Sequence, residues 1–248
     1  MNLGLYQAAA ALTANGRWQE SIAQNLAASS IPGFKKQELS FGAIEAGLKT
    51  GTAPAAGAQS FSLPRAATAT NFSPGELKFT GVNTDVALEG NGFFAVQMPD
   101  GATAYSRDGE FKMNASGQLV TKQGHPVLGE TGPIQLDPSN PAPISISAGG
   151  EISQGTDVRG TMKAVTFNDQ SLLTPINAGY FLASNPKLKP QPASGASFHQ
   201  RYLEAANTSP TTEMAHLITS MRMYEANQRV IQAQDDRMGK AIAELGGS

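Results

Sequence analysis

Cysteine is absent from the 248 residues of this chain, which excludes disulfide bonds, thiolate nucleophiles and cysteine-ligated zinc or iron–sulfur sites. Charged residues are also few, at 15% of the chain. The formal net charge of −2 leaves no basic field that would attract a polyphosphate backbone. We therefore expect no nucleic acid among the partners of this protein.

Long apolar runs are missing as well. No stretch approaches the roughly 20 apolar residues of a membrane-spanning helix, so the sequence predicts no direct membrane span. The segment Leu5–Ala14 is apolar, but no Lys or Arg precedes Arg17, which is atypical of a cleaved secretory signal. The three histidines are scattered and none has a partner at metal-ligand spacing. We expect no metal and no cofactor.

The sequence contains only weak matches to the residue patterns that are typical of enzymes. The segment Gly90–Ala95 matches a loose dinucleotide-binding fingerprint, but a β-prone run follows it where that fingerprint requires a helix. Four carboxylates near turns could supply the pair that glycoside hydrolysis needs: Glu89, Asp100, Asp108 and Glu110. A solvated carboxylate at a turn is far commoner than a catalytic one. The sequence thus predicts no catalytic residues and no enzyme.

Turn-forming residues are abundant, with 26 Gly and 15 Pro. Short β-prone runs extend from Gly75 to about Phe181. Between positions 99 and 124, turn signals separate them at Pro99–Gly101, Arg107–Gly109, Asn114–Gly117 and Lys122–Gly124. This rhythm predicts consecutive antiparallel hairpins and hence an all-β domain.

Both ends of the chain show helical patterns. Apolar residues recur at steps of three and four along a C-terminal stripe of Met214, Leu217, Met221, Tyr224, Ile231, Met238, Ile242 and Leu245. A weaker N-terminal stripe contains Leu5, Ala8, Leu12, Ile22 and Leu26. Ser209 and Pro210 fit the N-cap and first residue of the C-terminal helix, whereas Pro32-Gly33 ends the N-terminal one. The average step of 3.5 residues is typical of a coiled-coil seam.

These observations predict a mainly β protein with long terminal helices that form a coiled-coil region around an inserted antiparallel domain. The expected divisions are a helix over 1–30, an extended or loosely structured connector over 31–74, a β domain over 75–200 and a helix over 201–248. Thr50–Ala58 is the part of the connector with the least expected structure.

Several segments match signatures of one family. Gln24–Lys36 resembles N-N-L-A-N-V-N-T-P-G-F-K, the N-terminal signature of the bacterial flagellar rod and hook protein family. Leu203–Asn207 is similar to its L-E-x-S-N, Asp85–Phe94 to D-V-A-I-x-G-x-G-F-F and Ala104–Gly109 to A-Y-T-R-D-G. The stretch 213–232 follows the family's C-terminal pattern. Within the family, Gly124–Ile134 looks closest to the proximal rod type, with the distal rod type second.

The resemblance implies a structural axial subunit of the flagellar basal-body rod in the periplasmic space. Its implied partners are copies of itself, other flagellar rod and hook subunits, and the flagellar type III export apparatus, which would carry it without a cleaved signal peptide. Such a subunit polymerises through its terminal helices into a helical tube that transmits motor torque to the hook.

The candidate assembly residues come from the stripes and the family signatures. They are Leu12, Ile22, Asn25, Leu26, Pro32, Gly33, Phe34, Leu217, Met221, Tyr224, Asn227, Ile231 and Met238. Pro32-Gly33 is expected to turn the chain out of the N-terminal helix, and Phe34 to contact a neighbour. Two other interpretations stay open: a coiled-coil adhesin or scaffold outside the flagellum, and a wall glycan hydrolase built on the β domain.

Overall fold

The computed structural model of the protein describes residues 3–46, 61–176 and 179–246. Within these ranges the chain is mostly β, with one N-terminal helix and one C-terminal helix. It divides into two units. The first contains Met1–Leu26, Gln37–Ala69 and Pro210–Ser248, and the second contains Ala27–Lys36 and Thr70–Ser209.

The first unit contains the two long helices and one pair of strands. Helix α1 spans Leu3–Ala28, and helix α2 spans Pro210–Gly246, beginning at the residue that the sequence pattern predicts. Strands β1 (Gln37–Ala46) and β2 (Phe61–Thr70) pair with each other. The predicted loose segment Thr50–Ala58 lies outside the described residues. Neither described helix is apolar enough over a sufficient length to cross a bilayer.

The second unit is built from short strands. They are β3 Leu77–Phe79, β4 Val86–Glu89, β5 Phe93–Gln97, β6 Thr103–Ser106, β7 Phe111–Met113, β8 Leu119–Thr121, β9 Leu128–Gly129, β10 Gly132–Pro133, β11 Ile144–Ile146, β12 Glu151–Gln154, β13 Asp157–Thr161, β14 Ala164–Thr166, β15 Thr174–Ile176, β16 Tyr180–Leu182, β17 Gln191–Pro192, β18 Ser197–Gln200 and β19 Tyr202–Glu204. A short 3₁₀ helix, Gln170–Leu172, precedes β15.

A six-stranded antiparallel sheet in the order β15-β16-β6-β5-β14-β17 forms the middle of this unit. Successive side chains of β5 point to opposite faces. Phe93 and Ala95 therefore join one apolar cluster with Tyr105, whereas Phe94 and Val96 join another. Burial on both faces explains why β5 reads as a continuous apolar run.

The turn signals are confirmed at two hairpins. Pro99–Gly101 joins β5 to β6, with Gly101 at a φ of +83°, and Asn114–Gly117 joins β7 to β8. The predicted hairpin at Arg107–Gly109 is wrong, because β6 pairs with β5 and β16 while β7 pairs with β8. At this point the chain passes from one sheet to another. The predicted rhythm of consecutive hairpins is broken there.

The predicted coiled coil is wrong. Within the described residues α1 and α2 form no long paired helices, and the expected seam residues Met214, Met221, Met238 and Ile242 are between 38% and 72% exposed. A repeat of 3.5 residues identifies an apolar stripe but not what covers it. The two helices meet instead through polar side chains, as described below, and through the rings of Trp18 and His216, whose centres are 6.4 Å apart. Leu5 and Leu245 of the predicted stripes lie outside the described side chains.

Candidate functional site

Exposed apolar side chains are concentrated on α2. The set comprises Met214, Ile218, Met221, Met223, Val230, Met238 and Ile242. At about 100° per residue, Met221 and Met223 point to nearly opposite sides of the helix, and Val230 shares the side of Met223. Large apolar side chains that are exposed to water on two sides of a helix are typical of surfaces that bind partners. We call these seven residues the exposed α2 set.

The first turns of α2 contact α1 through buried polar groups, and α1 is bonded in turn to the start of β1. Asn25 of α1 binds the backbone of Gln37 twice: its Oδ1 accepts from the amide at 2.8 Å, and its Nδ2 donates to the carbonyl at 2.9 Å. The same Nδ2 lies 3.5 Å from a carboxylate oxygen of Glu213 on α2. Asn15 Nδ2 donates to the Ser220 carbonyl at 2.8 Å. These bonds fix the start of β1 and the first turns of α2 against α1.

The sequence-predicted assembly residues fall into three groups. Ile22, Asn25 and Gly33 are buried. Met221 and Met238 are exposed. The remaining residues are half-buried: Leu12, Leu26, Pro32, Phe34, Leu217, Tyr224, Asn227 and Ile231. The chain turns between Ala28 and Phe34, where the Ile31 amide donates to the Ala28 carbonyl and the Phe34 amide to the Ile31 carbonyl.

A buried ion cluster lies in the second unit. Lys35 Nζ donates to Glu204 Oε1 at 2.5 Å, and Arg107 Nη1 lies 3.4 Å from Glu204 Oε2. The side chains of Lys35 and Glu204 are each 1% exposed and that of Arg107 is 6% exposed. Arg107 also donates to the carbonyls of Leu88 and Gly90, and its guanidinium lies 5.6 Å from the centre of the Phe93 ring. The cluster is therefore bonded to the sheet core.

Asn207 extends this cluster along the backbone. Its Oδ1 accepts from the Lys36 amide at 2.7 Å, while its Nδ2 donates to the carbonyls of Asn71 at 2.8 Å and Ser73 at 3.1 Å. The Gly33 amide donates to the Glu204 carbonyl at 2.6 Å. We call the four side chains Lys35, Arg107, Glu204 and Asn207 the polar anchor.

Burial dominates the electrostatics of the polar anchor. It lowers the pKa of Lys35 below its ordinary value, and the opposing attraction and hydrogen bond of Glu204 offset part of that effect. Burial likewise lowers the pKa of Arg107, again partly offset by Glu204. One carboxylate thus compensates two buried cations.

Sequence reasoning missed the polar anchor as a site. All four of its residues lie in the segments that resemble the family signatures. That resemblance was the signal that could have pointed to them. Glu204 is 169 residues from Lys35 and 97 from Arg107, so no spacing rule brings them together.

The four carboxylates considered for glycoside hydrolysis have separate partners. Glu89 contacts His199 Nε2 at 2.6 Å, Glu110 contacts Lys122 Nζ at 3.2 Å, and Asp100 Oδ1 accepts from the Ala102 amide. Asp108 is buried and accepts from the Glu110 amide at 2.9 Å. Their contacts are those of turns and surface pairs.

Asp108 is expected to destabilise the second unit at neutral pH. Burial raises its pKa from 3.8 to about 6, so the folded state holds a proton that the unfolded chain releases between these values. The contribution of Asp108 to the free energy of unfolding therefore falls as the pH rises from about 4 to 6. We expect Asp108→Asn, which keeps the acceptor for the Glu110 amide, to raise the free energy of unfolding at pH 7.5 by about 1–3 kcal/mol.

Urea unfolding of Asp108→Asn at pH 4 and 7.5 checks this expectation, with a gain at pH 7.5 that shrinks at pH 4. Asp100→Asn is the matched control, because Asp100 Oδ1 makes the same bond to an amide two residues on but is exposed. An equal gain in both variants, or no gain in Asp108→Asn, would contradict a cost of burying the Asp108 charge.

Two family models match the chain. A model described as the flagellar hook protein FlgE/F/G D1 domain matches residues 87–154, and one described as the flagellar basal body rod FlgEFG protein C-terminal region matches residues 199–244. The first match contains Arg107 and the second contains Glu204, Asn207 and most of α2.

Curated proteins are similar over nearly the whole chain. Flagellar basal-body rod protein FlgF of Caulobacter vibrioides is 32% identical, covering 91% of this chain and 90% of that protein. FlgG of Borreliella burgdorferi is 32% identical over 97% of this chain and 98% of its own length. FlgF of Escherichia coli is 32% identical over 97% of both.

Proposed function

This chain belongs to the family of flagellar basal-body rod proteins, and from that membership we propose that it is a structural axial subunit of the rod. It assembles with copies of itself and with other rod and hook subunits, and it resides in the flagellar basal body. Relatives named FlgF and FlgG match at equal identity, so the proposal covers both kinds of rod protein.

The exposed α2 set carries the proposal of how the subunit assembles. Its members lie within the region matched by the C-terminal family model and point to more than one side of the helix. A helix with apolar groups on two sides is covered by more than one neighbour. Repeating one heterologous contact by a rotation that does not close generates an open helical assembly. We infer a tube of subunits whose α2 helices contact neighbouring copies and which passes motor torque to the hook.

Family membership also supports a route to this location. We infer that the chain reaches the rod, in the periplasmic space, through the flagellar type III export apparatus and without a cleaved signal peptide. No observation favours the adhesin or the glycan hydrolase, so neither is proposed.

Replacing apolar members of the exposed α2 set by aspartate tests the assembly proposal. Met221→Asp and Val230→Asp, on nearly opposite sides of α2, should each abolish incorporation into basal bodies and swimming, because a buried unpaired charge at an interface is costly. Both side chains are about half exposed in the chain itself, so the urea midpoint of each purified variant should stay unchanged.

Val158→Asp is the control for this experiment. Val158 is 61% exposed on β13, so the substitution makes the same chemical change at an exposed site in the other unit. It should leave incorporation and swimming intact. Normal incorporation of Met221→Asp and Val230→Asp would overturn assembly through α2.

A further inference from the structure

The polar anchor gathers the stretches by which the second unit continues into the rest of the chain. Residues 33–36 directly precede β1, residues 71–75 directly follow β2, and residues 204–207 lie shortly before α2. The division between the two units falls within a few residues of each stretch. All three stretches belong to the second unit.

Two side chains bind all three stretches together. Glu204 accepts from Lys35 Nζ and from the Gly75 amide, the latter at 2.8 Å, through the same carboxylate oxygen. Asn207 bonds to the backbone of Lys36, Asn71 and Ser73. Lys35 Nζ donates further to the Ser73 carbonyl at 2.9 Å. Each stretch is thus tied to the other two through side chains, of which Lys35 and Glu204 are almost completely buried and Asn207 is half-buried.

We propose that the polar anchor is a force-transmitting joint, through which a force applied to α1, to the β1–β2 pair or to α2 enters the core of the second unit. The significance of this joint for torque rests on the proposed function as a rod subunit. Arg107 completes the path, because it binds Glu204 on one side and the carbonyls of Leu88 and Gly90 on the other.

The chemistry of the polar anchor suits this role. Hydrogen bonds to charged groups are directional and stronger than those between neutral groups, and water cannot compete for them at buried sites. Apolar contacts are non-directional and allow one surface to slide over another. Strands β3 and β19 pair over only three residues, so without the polar anchor a pull on α2 would peel them apart.

The natural absence of cysteine allows a direct mechanical test on the full-length chain. Gly16 of α1 and Gly239 of α2 are exposed, and a Cβ added at either position would meet no atom within 4 Å. The pair Gly16→Cys and Gly239→Cys therefore provides two unique attachment points for optical tweezers. A constant force between them loads residues 33–36 and 204–207 once the helices have extended.

The decisive variant replaces the charges by apolar groups of similar size: Lys35→Met, Arg107→Met and Glu204→Leu together. Such replacements commonly preserve folding, which near-UV circular dichroism of Tyr105 and Tyr180, both buried in this unit, would verify. We expect the lifetime of the folded second unit at constant force to shorten by about tenfold or more, since directional bonds across the joint are lost.

Asn207→Ala is the second variant, which removes only the neutral bonds, and it should shorten the lifetime to a smaller extent. Glu110→Gln is the control, because it breaks the exposed Lys122–Glu110 pair and should leave the lifetime unchanged. Unchanged lifetimes in both Asn207→Ala and the triple variant would overturn the joint. The measurement uses the isolated protein, so unchanged lifetimes would overturn the joint and leave the proposed rod function intact. Conversely, basal-body incorporation tests the rod function independently of the joint.

Discussion

Glu204→Gln is expected to lower the free energy of unfolding of the second unit by about 3–5 kcal/mol, the usual cost of removing one partner of a buried ion pair. The glutamine can still accept a hydrogen bond from Lys35 or from the Gly75 amide, but it carries no charge. Lys35 and Arg107 would then remain buried as two cations without a counter-charge. A typical domain has only about 5–15 kcal/mol of stability, so the loss is a large part of the total.

The two units can be followed separately in one unfolding experiment. Trp18 is the single tryptophan and lies in α1, so its fluorescence reports on the first unit. Tyr105 and Tyr180 are buried in the second unit and give a near-UV circular dichroism signal. Urea should abolish the tyrosine signal of Glu204→Gln at a much lower concentration than that of the natural protein.

The defect of Glu204→Gln should depend on pH. Since burial lowers the pKa of Lys35 and Glu204 opposes that effect, loss of the carboxylate is expected to lower this pKa further. The folded variant then binds fewer protons than its unfolded chain over a wider range of pH, which ends at the ordinary lysine pKa. Stability rises with pH wherever the unfolded state binds more protons, so part of the loss should be recovered as the pH rises towards the ordinary lysine pKa of 10.5.

Glu110→Gln is the control for this measurement too. It removes one member of an exposed ion pair, with the Lys122 side chain 66% exposed, and should change the free energy of unfolding by less than about 1 kcal/mol. Equal effects of the two substitutions, or a Glu204→Gln defect that does not vary with pH, would show that the buried cations tolerate the loss of their carboxylate.

Local sequence signals predicted much of the second unit. The segment Pro99–Gly101 combines a residue with fixed φ, an acceptor side chain and a glycine at positive φ, and it forms the expected turn between β5 and β6. The run Phe93–Gln97 was correctly predicted as a strand because its β-prone residues are bounded by turn signals, Gly92 before it and Pro99–Gly101 after it. Such information is local, and the structure follows it closely.

The pairing of distant segments could not be read in the same way. Arg107–Gly109 carries the residues of a hairpin turn, yet here the chain leaves one sheet for another. Arg107 is drawn instead into the ion cluster with Glu204, a partner 97 residues away. Turn chemistry predicts a change of direction but does not predict which strands pair afterwards.

The error about the terminal helices has a related cause. The heptad spacing of Met214 and Met221 correctly identified apolar positions, but the structure leaves both about half exposed. The side of α2 that contacts α1 contains Glu213 and Ser220, whose polar bonds to Asn25 and Asn15 carry no apolar signature. Sequence periodicity reports which positions are apolar, whereas the partner that covers them is a property of the packed structure.

Gly33→Ala is expected to have the other large effect on the second unit. Gly33 has a φ of +67°, a conformation that costs a residue with a Cβ about 1–2 kcal/mol. An added Cβ would also lie 2.3 Å from the carbonyl carbon and 2.4 Å from the carbonyl oxygen of Arg107. Backbone atoms cannot rotate away as a side-chain end can, so the segment carrying Lys35 must shift. We expect a total loss of about 2–5 kcal/mol.

Gly101→Ala separates the two causes. Gly101 has a φ of +83° in the β5–β6 turn, but a Cβ there would meet no atom within 4 Å. This variant carries the conformational cost alone and should lose only about 1–2 kcal/mol by urea unfolding. If Gly33→Ala loses no more than Gly101→Ala, residues 33–36 can move off Arg107 freely. Since the Gly33 amide donates to the Glu204 carbonyl, such freedom would also mean that the polar anchor does not hold this stretch in place.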